Sequence, residues 1–560
     1  MRATNMKKTI FQTHLLLAAM VAVTLLSAVS AFAAAPGIKG TTFNLVAAPA
    51  YLNQPDGQAV YSWGYGCATN FTPTFVPTLS RSGFCNVMQV PGPTLIVTEG
   101  TPVVVTLTNN LPTSAGNTSI LFPGVTLGAF TDGTPGLLTQ EAAPGATVTY
   151  RFTAPSPGTR AYYSGTQGDL QVEMGLYGAL IVLPASVPSN CTGGLAAKNL
   201  SAEAAHGESD FRLSQAAYDH ADTCYDREYL FQFSEMDPRI HSQAEAQVLA
   251  NQNCIANCPT TLQVPTEPYH PAYFMINGRS MPDDMDPNYA TEYPHQPYNG
   301  DPHMHPGELT LIRVIGQGRW QHPFHEHGNH VRILGRDGNL ILSSSPTQLT
   351  YGAVGGVGGV QATALAGPLQ FTTTTTPGLA FDGIFYWTAK GLNWDAYGHN
   401  PSSGDPLATL TCTPDANGYN TGDPTAINYY EWCADHFKPV QKAPFGDVAA
   451  GGPVTLPDAN LFTNGPWYGG SPYLGPNATT RATGCINGVQ PNGPSGSQCG
   501  QTGSTPPSGT IANPPGSEAG FAFMWHSHNE REITTNNIFP GGMLMMMLVD
   551  SREYVIDETN

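Results

Sequence analysis

From Gln89 to Pro112 the chain reads QVPGPTLIVTEGTPVVVTLTNNLP, in which Val103, Val105 and Leu107 fall on one side of an extended segment and Val104, Thr106 and Thr108 on the other. A period of two is the pattern of a half-buried β-strand, and turn residues bracket it. Val148, Tyr150 and Phe152 alternate again before the Pro-Ser-Pro-Gly turn at 155–158, and MGLYGALIVLP (174–184) forms a near-continuous apolar strand. With 61 glycines, 49 prolines and only 11% charged residues, the composition favours short strands joined by turns over long helices. The chain reads as all-β.

At 560 residues it exceeds a single core. Residues 36–185 read as one β-sandwich, 186–227 as a polar, Ala-rich linker with one short helix, and 228–555 as a second sandwich. The second series of strands runs through EYLFQFSEM (228–236), YFMINGRSMPDD (273–284), LTLIRVIGQG (309–318) and HPFHEHGNHVRILGRDG (322–338), and closes with FAFMWHSH (521–528) and GGMLMMMLV (541–549). A helix from Arg239 to Ala250 reads as decoration. Residues of about 393–520, rich in Gly, Pro, Asn, Asp and Ser, read as a long disulfide-pinned insertion rather than a third core. The Gly-Val run at 352–360 and Thr372 to Thr376 read as low-complexity loops.

Arg2, Lys7 and Lys8 precede an apolar run from Leu15 to Val29 and the small residues around Ala31 to Ala35. That order is a secretory signal over residues 1–33, with cleavage after Ala33 or Ala35; the apolar run is short for a membrane span. No later segment is apolar for eighteen residues, so no span is expected after signal removal. The expected location is secreted, periplasmic or cell surface. Ten cysteines, Cys67, Cys85, Cys191, Cys224, Cys254, Cys258, Cys412, Cys433, Cys485 and Cys499, then suggest disulfides, with pairing between sequence neighbours compatible with their spacing. Cys254 and Cys258 form a lone C-x3-C, weak as a metal motif without a second pair. The net charge of −19, with no basic cluster beyond the first eight residues, argues against a nucleic-acid partner.

Of sixteen histidines, none lies between His14 and His206, so the first sandwich has none. In the second, His325 and His327 sit two apart on one strand, as do His526 and His528, so each pair projects from one strand face. If those strands are neighbours, four imidazoles converge, a donor set suited to copper, zinc, iron or nickel, with copper favoured by affinity. His322 and Ser527 belong to the opposite face. His303-Met304-His305, bounded by Pro302 and Pro306, reads as a loop; Glu530 and Glu532 read as solvated, and the Met-rich stretch around Met543 as core filling.

HPFHEHG and WHSH, together with VPGPTLIVTEGTPVVVTLTNNLP and MGLYGALIV, resemble the signature regions of multicopper oxidases, over most of 85–185, 270–395 and 520–549. The resemblance implies two cupredoxin-like Greek-key β-sandwich domains and copper as cofactor. In such proteins a type 1 copper collects electrons, and a trinuclear cluster fed through a His-Cys-His bridge reduces dioxygen. It also implies a small-molecule or metal-ion substrate and, as in two-domain relatives, a homotrimer. By resemblance His325, His327, His526 and His528 match cluster ligands, and His322 a type 1 ligand. The other motif positions differ. Leu121-Phe122-Pro123-Gly124 and Tyr163-Ser164-Gly165 stand where the family has histidine pairs, Ser527 stands in place of the bridging cysteine, and the downstream type 1 histidine falls at or near Glu532.

A serine hydroxyl is neither soft nor readily deprotonated, so a blue copper centre and electron delivery through sulfur are not expected. Four histidines suffice for one metal, fewer than the family's four coppers, and the protein is not a standard four-copper laccase. Another transition metal is a possible occupant. Glu532 and Met543 are weaker candidate ligands around the emptied type 1 position. The expected function is an exported, multicopper-oxidase-like metal-binding protein, acting as an oxidoreductase on metal ions or phenols if active. The alternatives are a non-catalytic metal-binding or electron-relay protein and a structural interaction protein of the cell envelope.

Overall fold

In the computed structural model of the protein the described residues are 35–76, 85, 87–192, 195–256, 261–343, 364–388, 390, 413–426, 428–434, 470–474, 511–512, 520–550, 552 and 554–556. The signal segment, the 352–360 run, most of 393–520, and Cys258, Cys412, Cys485 and Cys499 lie outside them. The described chain is dominated by β-strands.

The first sandwich stacks two sheets. One has the order Ala59–Cys67, Thr42–Asn53, Pro102–Asn109, Thr147–Thr153; the other runs Gly158–Tyr163, Tyr177–Leu183, Leu95–Thr98, Gly37–Lys39, Phe75–Val76. Parity works as the sequence predicts. Val103, Val105 and Leu107 are buried while Val104, Thr106 and Thr108 are only partly so, and Val148, Tyr150 and Phe152 face the same core. Tyr177–Leu183 is buried throughout because it lies between two strands, pairing antiparallel with Gly158–Tyr163 and parallel with Leu95–Thr98.

The second sandwich has one sheet in the order Tyr273–Ile276, Arg227–Met236, Leu309–Gly316, Ala380–Tyr386, Val331–Arg336, Asn339–Leu340. Its other sheet runs His303–Met304, Leu544–Asp550, Gly520–Ser527, His322–Glu326, Thr372–Thr375. Aromatic rings fill the space between the two: Phe324 lies 4.7 Å from Phe233 and 5.9 Å from Trp525, centroid to centroid. Met543, Met545 and Met547 pack into the same core.

Three local expectations change. Thr372–Thr375 is a strand rather than a loop, pairing residue by residue with His322–His325; consecutive β-branched side chains suit a pleated sheet. His303–Met304 is a short strand beside Leu548 and Val549, and His305 is buried. The predicted Arg239–Ala250 helix extends over Pro238–Gln252, capped by the Asp237 carboxylate accepting from the Arg239 amide. It is not decoration, because Ile240, Ala244 and Val248 join the core of the first sandwich. The linker helix spans Leu195–Ala205. Disulfides join Cys67 to Cys85 and Cys191 to Cys224, both between sequence neighbours, and Cys254 and Cys433 are also disulfide-bonded.

Candidate metal centre

The two histidine-bearing strands are antiparallel neighbours, and their register sets Phe324 opposite Ser527, His325 opposite His526 and Glu326 opposite Trp525. Directly opposed residues share a face, and diagonal neighbours are within reach of long side chains. His325, His327 and His526 therefore meet, with ligand atoms all within 4.8 Å of one another. Ser527, between the two histidines of its strand, points to the other face with Phe324.

Burial and hydrogen bonds orient the rings. His526 Nδ1 donates to the Ser527 carbonyl at 2.7 Å, which leaves Nε2 with its lone pair. That Nε2 stands 3.3 Å from Nε2 of His327. Two imidazole nitrogens bound at about 2.0–2.1 Å to one tetrahedral ion lie about 3.3 Å apart, so this pair is already at ligand spacing. Nδ1 of His325 engages the Thr372 hydroxyl at 2.5 Å, and the Trp525 indole donates to the His327 carbonyl at 2.9 Å. Burial first, then the neighbouring imidazoles, lower the His325 pKa to about 3, and burial lowers that of His526, so both are neutral and fit to bind a metal at pH 7. The donor set thus fits a single transition-metal ion.

His528 stands beside this trio. Its ring centroid is 4.6 Å from that of His325 and 5.5 Å from that of His526, but the side chain is half exposed and its Nδ1 lies 3.3 Å from Glu530. Between His325 and His327, Glu326 faces the core; its carboxyl accepts from the Thr373 hydroxyl at 2.6 Å, and burial raises its pKa to about 8.

His322 is not brought to the cluster. It lies on the opposite strand face, fully buried, with Nδ1 2.9 Å from Glu532 and Nε2 2.9 Å from Glu235. The Ser527 hydroxyl donates to the same Glu532 oxygen, and Asn529 donates to the other at 2.8 Å. Hydrogen bonds to the two carboxylates outweigh burial and raise the His322 pKa to about 9. A charged imidazolium whose two nitrogens both donate has no lone pair for a metal. Glu532 is buried rather than solvated, whereas Glu530 is exposed; Met543 is buried, with its backbone joining Ser527 to Glu532. Type 1 copper does not fit these residues.

Sequence reading missed Thr372 and Glu235. A run of β-branched residues signals the strand that carries the first. The second is a carboxylate within the otherwise apolar EYLFQFSEM strand, where an acid needs a partner. His303 and His305 belong instead to a buried polar network: His303 pairs with Asp550 at 2.7 Å and His305 with Glu208 at 2.6 Å. Glu208, His305 and Glu308 are close enough to hold a cation, but Arg227 pairs with both carboxylates, which neutralises them.

The fold is two cupredoxin-type sandwiches, with imidazoles converging across adjacent strands of the second. Residues 78–186 match the family model for multicopper oxidases. Among curated relatives, multicopper oxidase MCE of Talaromyces pinophilus is 39% identical over 98 residues, covering 17% of this chain and 15% of that protein. L-ascorbate oxidase of Brassica rapa subsp. pekinensis is 42% identical over 96 residues, covering 17% and 16%. The chain therefore aligns with less than a fifth of these relatives' length. A blue copper oxidase from Nitrosomonas europaea superposes with a TM-score of 0.40 at 14% identity, covering 91% of this chain and 85% of that one. Over residues 78–186 the chain is similar to multicopper oxidases. No helix among the described residues is long and apolar enough to cross a membrane.

Proposed function

We propose that this is an exported copper protein with one metal ion held by His325, His327 and His526, with His528 at the open side, and that it acts as a copper-dependent oxidoreductase on metal ions or phenols. The observation that carries the reading is the His526–His327 nitrogen pair at ligand spacing beside a neutral His325. Copper, when bound, supplies one-electron redox chemistry at a centre with open coordination positions. The chain's own residues do the rest. Ser527 and Thr372 orient His526 and His325 through their second ring nitrogens, and the Trp525 indole holds the strand beneath His327. The half-exposed His528 leaves the solvent side accessible to a small substrate. Disulfides and the signal-like leader support export, and a homotrimer is the proposed assembly.

The buried Ser527 and the doubly engaged His322 favour a second reading, a metal-binding protein without turnover, because among the described residues a serine hydroxyl, not a thiolate, stands between His526 and His528. Metal analysis and paramagnetic resonance of copper-loaded protein test both. About one copper per chain is expected, with no intense blue thiolate band. Sub-stoichiometric copper that does not change when His325, His327 and His526 are replaced by Ala would sink both readings. Oxygen uptake with ferrous, manganous or phenolic substrates separates them, and sedimentation tests the trimer.

A further inference from the structure

A cavity of about 280 Å³ opens between the two sandwiches, and among the described residues no histidine lines it. Leu121, Leu138, Tyr163 and Ser164 contribute from the first sandwich, Gln317 and Gly378 from the second. None of the described lining residues carries a formal charge at neutral pH, so their wall offers nothing to neutralise an ionic ligand.

Most of its polar groups are already satisfied within the protein. The Ser164 hydroxyl donates to Gln171 at 2.6 Å and accepts from the Thr166 amide at 3.2 Å, and the Gln317 amide donates to the Gly178 carbonyl at 3.0 Å. Tyr163 differs. Its backbone pairs with Leu121, but among the described residues none hydrogen-bonds its hydroxyl, and burial raises its pKa, keeping it protonated as a donor. Gly378 keeps the space beside that hydroxyl open, because a Cβ there would lie 3.3 Å from it.

The mouth is apolar as well. A tight hairpin pairs Thr134–Pro135 with Gln140–Glu141, and its tip presents Leu137 and Leu138, 93% and 63% exposed. Leu138 reaches the cavity wall. Leucines left in water at a concave mouth gain by being covered.

We propose that this cavity binds a small, uncharged aromatic carbonyl compound, its ring against Leu121 and Leu138 and its oxygen accepting from the Tyr163 hydroxyl. The volume lies just below the usual range for drug-sized ligands, which limits the occupant to fewer than about twenty non-hydrogen atoms.

The test is titration of the full-length protein with 6-propionyl-2-(dimethylamino)naphthalene, an uncharged fluorescent ketone. Saturable, blue-shifted emission at one probe per chain is expected. Tyr163→Phe should weaken binding by about fivefold, the scale of one neutral hydrogen bond, and Leu138→Asp and the cavity-filling Leu121→Trp more. Ile538→Asp, at an exposed apolar residue outside the cavity, should leave the affinity unchanged. Because Leu138 is largely exposed, its variant folds even where Leu121→Trp does not. Unsaturable partitioning overturns the proposal, as does equal affinity in Tyr163→Phe and Leu138→Asp. Equally tight binding of naphthalene-2-carboxylate overturns the requirement for an uncharged ligand.

Discussion

Thr372 shows how one hydroxyl can orient a candidate metal ligand. It engages Nδ1 of His325 at 2.5 Å and so biases which ring nitrogen faces the cluster. Loss of such an outer partner typically lowers metal affinity by about 10–100-fold. Thr372→Val, nearly the same shape, is expected to weaken copper binding on that scale while leaving the fold intact, as competition with a chelator would measure. His322 makes a different prediction. Its pKa is raised to about 9 from an ordinary value of 6.5 by hydrogen bonds to Glu235 and Glu532. A basic group whose folded pKa is raised contributes stability that is fully present below its unfolded pKa and is lost as pH rises through the folded one. Denaturant midpoints should therefore fall between about pH 6.5 and 9 in the native protein, with a flatter dependence in His322→Gln. Equal slopes in the two proteins would contradict the ion triad.

At the scale of elements, the Pro238–Gln252 helix reads in sequence as a surface segment, yet its buried stripe covers the first sandwich. Ile240 and Val248 are buried in that core, whereas Leu249 is half exposed. Ile240→Ala should cost about 2–5 kcal/mol in chemical unfolding, and Leu249→Ala no more than about 0.5 kcal/mol. Similar losses for both would mean that the helix does not seal the sheet. The Thr372–Thr375 strand carries the same lesson, since its side chains matter only once it pairs with the histidine strand.

Across the whole molecule, buried charge joins the two sandwiches. Asp382 accepts from the Thr159 hydroxyl at 2.5 Å, from the Tyr218 hydroxyl at 2.6 Å and lies 3.4 Å from Arg313, which also pairs with Glu228 at 3.0 Å. Removing one member of a buried ion network leaves the others uncompensated and costs roughly 3–5 kcal/mol. Asp382→Ala should lower stability by that amount and split a single calorimetric transition into two, because Thr159 belongs to the first sandwich and Arg313 to the second. A single transition at an unchanged temperature would show that the contact does not couple them.

Strand alternation, the two H-x-H pairs and the absence of histidine from residues 15–205 were legible in the amino-acid order, because a period of two and a residue's chemistry are local properties. Set beside the family motif that WHSH resembles, the amino-acid order also implied a serine, Ser527, in place of a bridging cysteine. It did not show that His325 would face His526, that His528 would turn toward Glu530, or that Glu235 and Glu532 would close on His322 from two separate elements. Those contacts depend on strand register and on chain segments up to 210 residues apart. Only the packed sheets bring such groups together, and burial then decides which of them are neutral, charged or open to a ligand.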